Sequence, residues 1–538
     1  MIKTKQKTVL HILAPTAVIA LGFSLLGVSA FVFWNSVRRP TTTINRNVTS
    51  APTLTTDVDT TPPTVFFVSP TNGQTVSGLA DITANASDNS GILKVDFFLD
   101  ETKLLGTVTP IARGIWLSPD EIMALPITSQ LGCETGTPCA AAWTAMRSEA
   151  ERLVPGNADI SDQDSYHDVQ TMAAALVCVR TGEFCAPARQ AVLAAIGTEE
   201  RTLTTPTEPP GNQWLAVGRN LGAYVIAADL LDLRASASPE GRQVQDWIQS
   251  FIGRVASLGA SFGAFQSGSN ASAQEGFVYA AVAAFLHDAD ELAYVWNRFQ
   301  FFTGASNEGT DDIDLNKGLE YGWAHNDDPN LALPINPIGS TKVVPSGYPG
   351  AGTTHRVDGA VINDQRRGAQ YQWPPVYTHY PWVGLEGSIP AALILERAGY
   401  RSFASADQAL FRAVDYQWWL GQELGQSPAC TFDCWWDYNR ALDIKHLANW
   451  RYGTDHPHLT PVAGGRTVGF TDWTHPTLLD IVAIVPYSMT WDLTQLVSLG
   501  NHVLSAKSWD TSGNLATAEI TVSVSDDGGG GGIRKIPE

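Results

Sequence analysis

Side chains that could carry chemistry are concentrated in one stretch of the chain, residues 352–387. Two adjacent arginines, Arg366 and Arg367, concentrate positive charge that could hold an acidic group, and histidines stand on both sides. The histidines and the nearby aromatic side chains are His355, Tyr371, Trp373, Tyr377, His379 and Tyr380. No helix or strand period runs through the first half of the stretch, which predicts a loop. Loops held by a rigid scaffold often carry function, so this stretch is the candidate site; the alternative is a solvated surface loop.

The charge balance limits the classes of partner. The chain has 538 residues and a formal net charge of -20. Nucleic-acid binding needs a basic face, so we expect no nucleic-acid partner. An acidic polymer is compatible only where arginines are gathered, as at Arg366 and Arg367. A hydrophobic content of 44% with 16% charged residues indicates a large core, and the length predicts more than one domain.

The first 37 residues predict a membrane anchor. Lys3, Lys5 and Lys7 precede residues 9–34, which contain no Asp, Glu, Lys or Arg. That run is long enough to span a hydrocarbon core, and the lysines before it predict that the rest of the chain lies outside the cytoplasm. The alternative is a cleaved signal peptide ending near Val28-Ser29-Ala30, which would make the protein secreted.

Strand patterns occur in two segments that are far apart in the sequence. After a Thr/Pro-rich linker at 38–63, short β-rich runs separated by turn residues fill 64–109. This segment resembles the first half of the immunoglobulin-like sandwiches of bacterial secreted enzymes. The second half of such a sandwich does not follow directly but is found at residues 485–525, where Ile520, Val522 and Val524 alternate with polar residues. Neither half has enough strands to bury two faces, so we expect the two to pair in one domain.

The region between the strand segments, 110–484, is predicted to be an inserted helical domain. Apolar residues recur at helical spacing in several windows, for example in 221–231, 244–255 and 408–420. The predicted fold class is therefore an all-α (α/α) toroid inserted into an all-β immunoglobulin-like sandwich, with an N-terminal transmembrane helix. The alternative is a pair of independent half-domains or a chimaeric sequence. The glycine-rich tail, 526–538, is predicted to be disordered.

The helical region carries a second resemblance, which rests on the order of its motifs. These are LSPDEIMALP (117–126), RNLGAYVIAADLL (219–231), GSNASAQEGFVYAAVAAFLHD (268–288), INPIGST (335–341), VDGAVINDQRRG (357–368), QWPP (372–375), HYPWVGLEG (379–387) and TVGFTDWTHP (467–476). Together they resemble the alginate-lyase-like branch of the (α/α)-toroid polysaccharide lyases. The resemblance implies cleavage of an acidic, uronate-containing polysaccharide by β-elimination, without a metal or other cofactor.

The same resemblance implies roles for individual residues. Asn270, or Arg366 or Arg367, would neutralise the uronate carboxylate so that negative charge can develop beside it. Tyr380 would take the proton as general base and return one to the leaving oxygen as general acid. The structural alternative for Asn270 is a helix N-cap.

Two features of this pattern leave room for other assignments. Ala271 stands where the family has a histidine or a bulky aromatic residue, and His379 could replace that side chain. Tyr371 and Tyr377 are rivals of Tyr380 for the role of base.

Further aromatic residues are candidates for substrate binding. Trp214 and Trp373 could stack on sugar rings, although tryptophan is also a common core residue. His355, Tyr371 and Tyr377 complete the predicted binding set.

The six cysteines form three pairs of near neighbours. No pair has the spacing of a zinc site, and outside the cytoplasm cysteines form disulfides. Of the 15 possible connectivities, we expect the local one: Cys133–Cys139, Cys178–Cys185 and Cys430–Cys434.

Two other functions compete with the lyase. A glycoside hydrolase needs a pair of carboxylates, for which Asp358 with Asp364 or Glu386 are the candidates. A carbohydrate-binding surface protein without catalysis is favoured slightly by Ala271.

Overall fold

The structure, a computed structural model, describes thirteen ranges of the chain. They are 60–88, 92–108, 114–199, 212–234, 238–257, 263–306, 320–325, 333–426, 434–437, 439–476, 487–493, 499–510 and 513–525. The predicted membrane segment, most of the linker and the C-terminal tail lie outside the described residues.

The strands lie mainly near the two ends of the described chain. They are β1 (Thr64–Ser69), β2 (Thr75–Val76), β3 (Leu79–Ser87), β4 (Ile92–Leu99), β5 (Lys103–Val108), β6 (Thr341–Val343), β7 (Thr354–Arg356), β8 (Tyr487–Asp492), β9 (Gly500–Asp510) and β10 (Leu515–Val524). One sheet has the order β1-β3-β8 and another has the order β2-β10-β9-β4-β5, while β6 and β7 form a ribbon of their own.

Strands from the two segments pair with each other, as predicted. In antiparallel register, Leu79 of β3 lies opposite Asp492 of β8, and Ile92 of β4 lies opposite Asp510 of β9. The two larger sheets share one hydrophobic core. The alternation of side chains along each strand explains this shared core. Ile82 on β3 and Val522 on β10 are fully buried, and their neighbours along each strand point away from the core.

The predicted fold class is wrong. The described residues form helices together with a curled mixed sheet, in which β2 runs parallel to β10 while the other pairs are antiparallel. Irregular register between β4 and each of its neighbours is consistent with the curl, because a bulge bends and twists a strand. The helical region is not all-α, since it contains the β6–β7 ribbon. No helix within the described ranges is long and apolar enough to cross a membrane.

The helices occupy the sequence between the two strand segments. They are α1 (Pro119–Ala124), α2 (Pro138–Arg152), α3 (His167–Thr181), α4 (Cys185–Ala195), α5 (Asn212–Leu230), α6 (Pro239–Ser257), α7 (Asn270–Leu286), α8 (Ala289–Thr303), α9 (Ile362–Gln365), α10 (Tyr380–Arg397), α11 (Ser405–Glu423), α12 (Leu442–Tyr452) and α13 (Thr471–Thr474). Short 3₁₀ turns occur at Pro155–Asn157 and Ser402–Ala404. Most of these helices contribute to one large hydrophobic core.

Close packing of α7 and α10 positions the candidate site. A β-carbon on Gly387 of α10 would lie 2.5 Å from the backbone of Ala273 in α7. A β-carbon on Gly384 would lie 2.9 Å from Oδ2 of Asp364, just after the start of α9. Glycine at both positions therefore lets α10 approach α7 and α9 closely.

Two of the predicted disulfides are confirmed. Cys133 is bonded to Cys139, and Cys178 is bonded to Cys185. Cys430 lies outside the described residues, so its bond to Cys434 stays a prediction.

Candidate functional site

All four residues of the one-turn helix α9 are buried, and the helix is anchored to the rest of the fold through Ile362. The backbone N–H of Ile362 donates to the carbonyl of Pro334 at 3.0 Å, and the Ile362 side chain is fully buried in a small core. Arg366 and Arg367 follow directly, where the chain leaves the helix. The predicted loop thus contains one helical turn that holds both arginines at the protein surface.

A cavity of about 520 Å³ opens at these arginines. Its lining consists of Tyr321, Arg366, Arg367, Gly368, Ala369 and Tyr380. We call it the reaction cavity. It brings together the two predicted arginines and the predicted base, Tyr380, which begins α10.

Arg367 lies between Tyr380 and the buried carboxylate of Asp364. Its guanidinium carbon lies 4.4 Å from the ring centroid of Tyr380, and its Nε lies 3.8 Å from Oδ1 of Asp364. The Arg367 guanidinium and the Tyr380 hydroxyl make no hydrogen bond with any residue in the described ranges. A ligand can therefore bind to either group without displacing a hydrogen bond to one of the described residues.

Arg366 occupies the opposite flank of the arginine pair. Its Nε donates to Oδ1 of Asn363 at 3.1 Å, and its guanidinium lies 5.7 Å from the ring of Tyr321. Asn363 thereby fixes one edge of the guanidinium, while the cation remains at the cavity wall.

Asn270 does not have the predicted orientation. It is almost fully buried, and both its backbone N–H and its amide Nδ2 donate to Oδ1 of Asp364, at 3.2 and 2.8 Å. It is not the N-cap of α7 either, because Ser269 holds that position and accepts from the N–H of Ser272. Asn270 thus acts on the cavity indirectly: it holds Asp364, and Asp364 faces Arg367.

The environment of Asp364 balances opposing effects. Complete burial raises the pKa of this carboxyl to about 6, against the lowering effects of Arg367 and of the hydrogen bonds from Asn270. Its second oxygen, Oδ2, is buried without a hydrogen-bond partner within the described part of the chain. Asp364 is therefore mostly ionised at neutral pH and becomes protonated under mildly acidic conditions.

His379 stacks on Tyr380 at the edge of the cavity. The two ring centroids are 4.6 Å apart, with 22° between the planes. Burial lowers the pKa of His379, and the positive charges of Arg440, Arg466, Arg219 and Arg367 lower it further. The imidazole is therefore neutral at pH 7 and can donate or accept a hydrogen bond.

The other predicted binding residues do not line the reaction cavity. His355 and Trp373 stack on each other with centroids 3.7 Å apart, and Tyr377 packs edge-on against Trp435. Tyr371 is fully buried in the core that contains Trp323, and burial raises its pKa. The side chain of Trp214 lies outside what the structure describes.

Carboxylates proposed for a hydrolase do not face each other across the cavity. Asp358 pairs with Nε of Arg412 at 2.9 Å and accepts from the N–H of Gly339. Asp364 and Glu386 are both buried, and neither lines the reaction cavity.

Two contributors to this region were not predicted as site residues. Tyr321 belongs to no recognisable motif. Arg219 did have a signal, because a charged residue among the many apolar residues of helix α5 needs a polar environment at that position.

Comparison with known proteins identifies only part of the chain. A family model described as a bacterial Ig domain matches residues 63–152, which include β1 to β5 and the helices α1 and α2. No curated protein and no solved structure matches the chain.

Proposed function

We propose that this protein is a polysaccharide lyase that cleaves a uronate-containing polysaccharide outside the cytoplasm. The observation that carries the proposal is the pairing of Arg367 with Tyr380 in a solvent-accessible cavity that also contains Arg366. Two cations beside a phenol suit a substrate that carries a carboxylate next to an acidic carbon–hydrogen bond. The resemblance of the helical region to alginate-lyase-like enzymes supports the same class of reaction.

In the proposed reaction, Arg366 and Arg367 bind the uronate carboxylate and stabilise the enolate charge that develops on it. The deprotonated oxygen of Tyr380 takes the proton from the carbon that bears the carboxylate. The electron pair left behind forms a carbon–carbon double bond as the bond to the glycosidic oxygen breaks. Tyr380 returns its proton to that oxygen and ends deprotonated again, so no proton is lost or gained overall.

Asn270 has a positioning role in this proposal. Its amide is engaged with Asp364, so the carboxylate clamp consists of the arginines, with neutral His379 as a further donor. This differs from the clamp that the resemblance implies, in which Asn270 contacts the substrate.

The two disulfides support a location outside the cytoplasm. Bonds such as Cys133–Cys139 and Cys178–Cys185 persist in oxidising compartments and are rare in the cytosol. The bacterial Ig-domain match over residues 63–152 is compatible with this location, because residues 64–109 resemble sandwiches of bacterial secreted enzymes.

The test is an elimination assay on a panel of polyuronates and glycosaminoglycans. A lyase creates an unsaturated sugar at each new end, and that double bond absorbs ultraviolet light. We expect absorbance to rise together with a fall in polymer length. New reducing ends without new absorbance would instead identify a hydrolase.

A non-catalytic carbohydrate-binding protein is the second candidate. The engagement of Asn270 with Asp364 favours it, because one predicted substrate contact is absent. Binding of an acidic polysaccharide, with neither new absorbance nor chain shortening, would support this function over the lyase.

A further inference from the structure

Tyr321 lines the reaction cavity, yet the proposed reaction gives it no role. Its side chain is half-buried, and its hydroxyl makes no hydrogen bond with any residue in the described ranges. It belongs to the short described segment 320–325, which is far in sequence from the arginines and from Tyr380. A tyrosine that a separate segment brings to the cavity, with its polar atom unused, is a candidate for contact with the substrate.

Three hydrogen bonds hold the segment of Tyr321 against the chain that follows the arginine pair. They run from the backbone N–H of Tyr371 to the carbonyl of Tyr321 at 2.8 Å, from Nε2 of Gln370 to the carbonyl of Glu320 at 2.9 Å, and from Nε1 of Trp323 to the carbonyl of Ala369 at 2.9 Å. Each bond joins a residue of 320–323 to a residue of 369–371. The backbone of Tyr321 therefore keeps a fixed position relative to the arginines.

Each arginine of the pair faces a different tyrosine. The guanidinium carbon of Arg366 lies 5.7 Å from the ring centroid of Tyr321, and that of Arg367 lies 4.4 Å from the ring centroid of Tyr380. The two rings therefore lie beside different cations, at two separate points of the cavity wall.

The reaction cavity has room for more than the sugar that reacts. Its volume of about 520 Å³ lies within the range of about 300–1,000 Å³ that is typical of pockets for drug-sized ligands, which are larger than one sugar ring. The carbon–hydrogen face of a sugar is apolar, and a tyrosine ring offers a rigid apolar surface that loses little conformational entropy on binding. Since Tyr380 must face the acidic carbon of the reacting sugar, the ring of Tyr321 is available to the next sugar.

We propose that Tyr321 packs against the sugar next to the reacting uronate. This inference rests on the proposed function for the identity of the polymer. It adds a specificity: a single uronate binds through the arginines alone, whereas an oligosaccharide gains the ring contact. Because the neighbouring sugar does not react, the contact lowers KM and leaves kcat largely unchanged. Unlike an ion pair, it does not require the neighbouring sugar to be charged.

The binding test uses Tyr321→Leu and Tyr321→Phe. Tyr321→Leu lacks the ring and should bind a mannuronate tetrasaccharide about 10-fold more weakly, with unchanged affinity for the monosaccharide methyl mannuronoside. The same loss is expected for a tetrasaccharide of unsulfated chondroitin, in which uronates alternate with uncharged sugars. Tyr321→Phe keeps the ring and should bind every ligand as the unmodified protein does. Isothermal titration suits the tetrasaccharides, and NMR titration suits the weaker monosaccharide.

The matched control is Tyr348→Leu, because Tyr348 is 37% exposed and does not line the reaction cavity. Equal losses for monosaccharide and tetrasaccharide in Tyr321→Leu would show that Tyr321 positions Arg366 and contacts no second sugar. Equal losses in Tyr321→Leu and Tyr321→Phe would assign the contact to the hydroxyl and overturn the ring packing. Tyr321→Met is a second variant without a ring, for the case in which leucine prevents folding, because methionine fills irregular gaps.

These titrations require no turnover, so they separate this inference from the proposed function. Weaker binding of the tetrasaccharides alone by Tyr321→Leu, in a protein that eliminates nothing, would support the contact and refute the lyase. Elimination of polymannuronate by Tyr321→Leu with unchanged KM and affinity would refute the contact and leave the lyase standing. If the unmodified protein binds neither tetrasaccharide, both proposals are wrong.

Discussion

The strand region and the helical region differ in how their buried carboxylates are hydrogen-bonded. Asp96 in β4 is buried, yet Lys94 and Thr107 supply it with hydrogen bonds at 2.7 and 2.6 Å. In the strands that the structure describes, no carboxylate oxygen is buried without a partner. In the described helical region, by contrast, several carboxylates have such oxygens: Asp168, Asp364, Glu386, Asp443 and Asp472.

The contrast indicates that unpaired carboxylate oxygens lower the free energy of unfolding in the helical region. A buried polar atom without a partner costs roughly 1–3 kcal/mol, so a fold selected for stability alone would avoid these groups. Asp364 lies on α9, which directly precedes Arg366 and Arg367, and Glu386 lies on α10, whose first residue Tyr380 lines the reaction cavity. Unpaired buried polar groups beside a cavity are typical of functional sites.

Tyr380→Phe is expected to have the largest effect and to separate activity from stability. The change removes the hydroxyl oxygen that we propose moves the proton, so kcat should fall by roughly 10²–10⁴-fold. Stability should be nearly unchanged, because the hydroxyl has no partner within the described structure. Steady-state kinetics and thermal denaturation would measure both. Tyr377→Phe is the control, and full activity in Tyr380→Phe would transfer the role of base to another residue.

Ile82→Ala is expected to show the opposite behaviour. Ile82 is fully buried in the strand core, and its truncation should lower the free energy of unfolding by roughly 2–5 kcal/mol. Activity per folded molecule should not change, because Ile82 does not line the reaction cavity. The control is Phe66→Ala, because Phe66 is 49% exposed and lies on the other face of the same sheet. Equal destabilisation by the two changes would contradict the assigned strand faces.

Part of the fold could be predicted because some patterns are local. The alternation in β10 has a period of two over many residues, and it correctly indicated which of its side chains face the core. The pairing of two distant segments followed from the shortage of strands in each. In contrast, β2 has two residues and β6 has three, too few to show any period. The parallel pair and the ribbon were therefore missed.

Within the site, the residues were easier to predict than their orientations. Arg366, Arg367 and Tyr380 share one cavity, as the sequence suggested. The partner of Asn270 is 94 positions away and is set by how closely α10 approaches α7 at glycines, which no local pattern reveals. Tyr371 and Tyr380 come from the same stretch, yet Tyr371 is fully buried and Tyr380 lines the cavity. This difference could not be predicted, because the loop between them has no hydrophobic period that would indicate which side chains face the core.

Asp364→Asn tests how the buried carboxylate of Asp364 makes the free energy of unfolding depend on pH. The pKa of Asp364 rises from 3.8 to about 6 on folding, so the folded protein binds the proton more tightly than the unfolded chain does. The stabilising contribution of this group is complete below about pH 4 and is lost as the pH rises through about 6, a change of about 3 kcal/mol. Denaturant unfolding at several pH values should show this loss in the unmodified protein and not in Asp364→Asn. The exposed change Asp246→Asn is the control, and the same loss in Asp364→Asn would contradict the assignment.

Asn270→Ala is expected to have the smallest effect and to test the positioning role. The variant removes the 2.8 Å hydrogen bond to Asp364 and should lower the free energy of unfolding by about 1–2 kcal/mol. It should also raise the pKa of Asp364, because that hydrogen bond favours the ionised carboxylate. Since the ionised form faces Arg367, the acidic limb of the kcat/KM profile should move to higher pH.

A purely structural asparagine would not produce that shift. Asn220→Ala provides the comparison, because Asn220 is also buried and also donates two amide hydrogen bonds, to the carbonyls of Ile160 and Asp162. We expect a similar loss of stability from Asn220→Ala, without a shift of the kcat/KM profile along the pH axis. If both variants lose stability and neither moves the acidic limb, Asn270 stabilises α7 without tuning the reaction cavity. If only Asn270→Ala moves it, the unusual polar burial in the helical region serves the position of Arg367 over Tyr380.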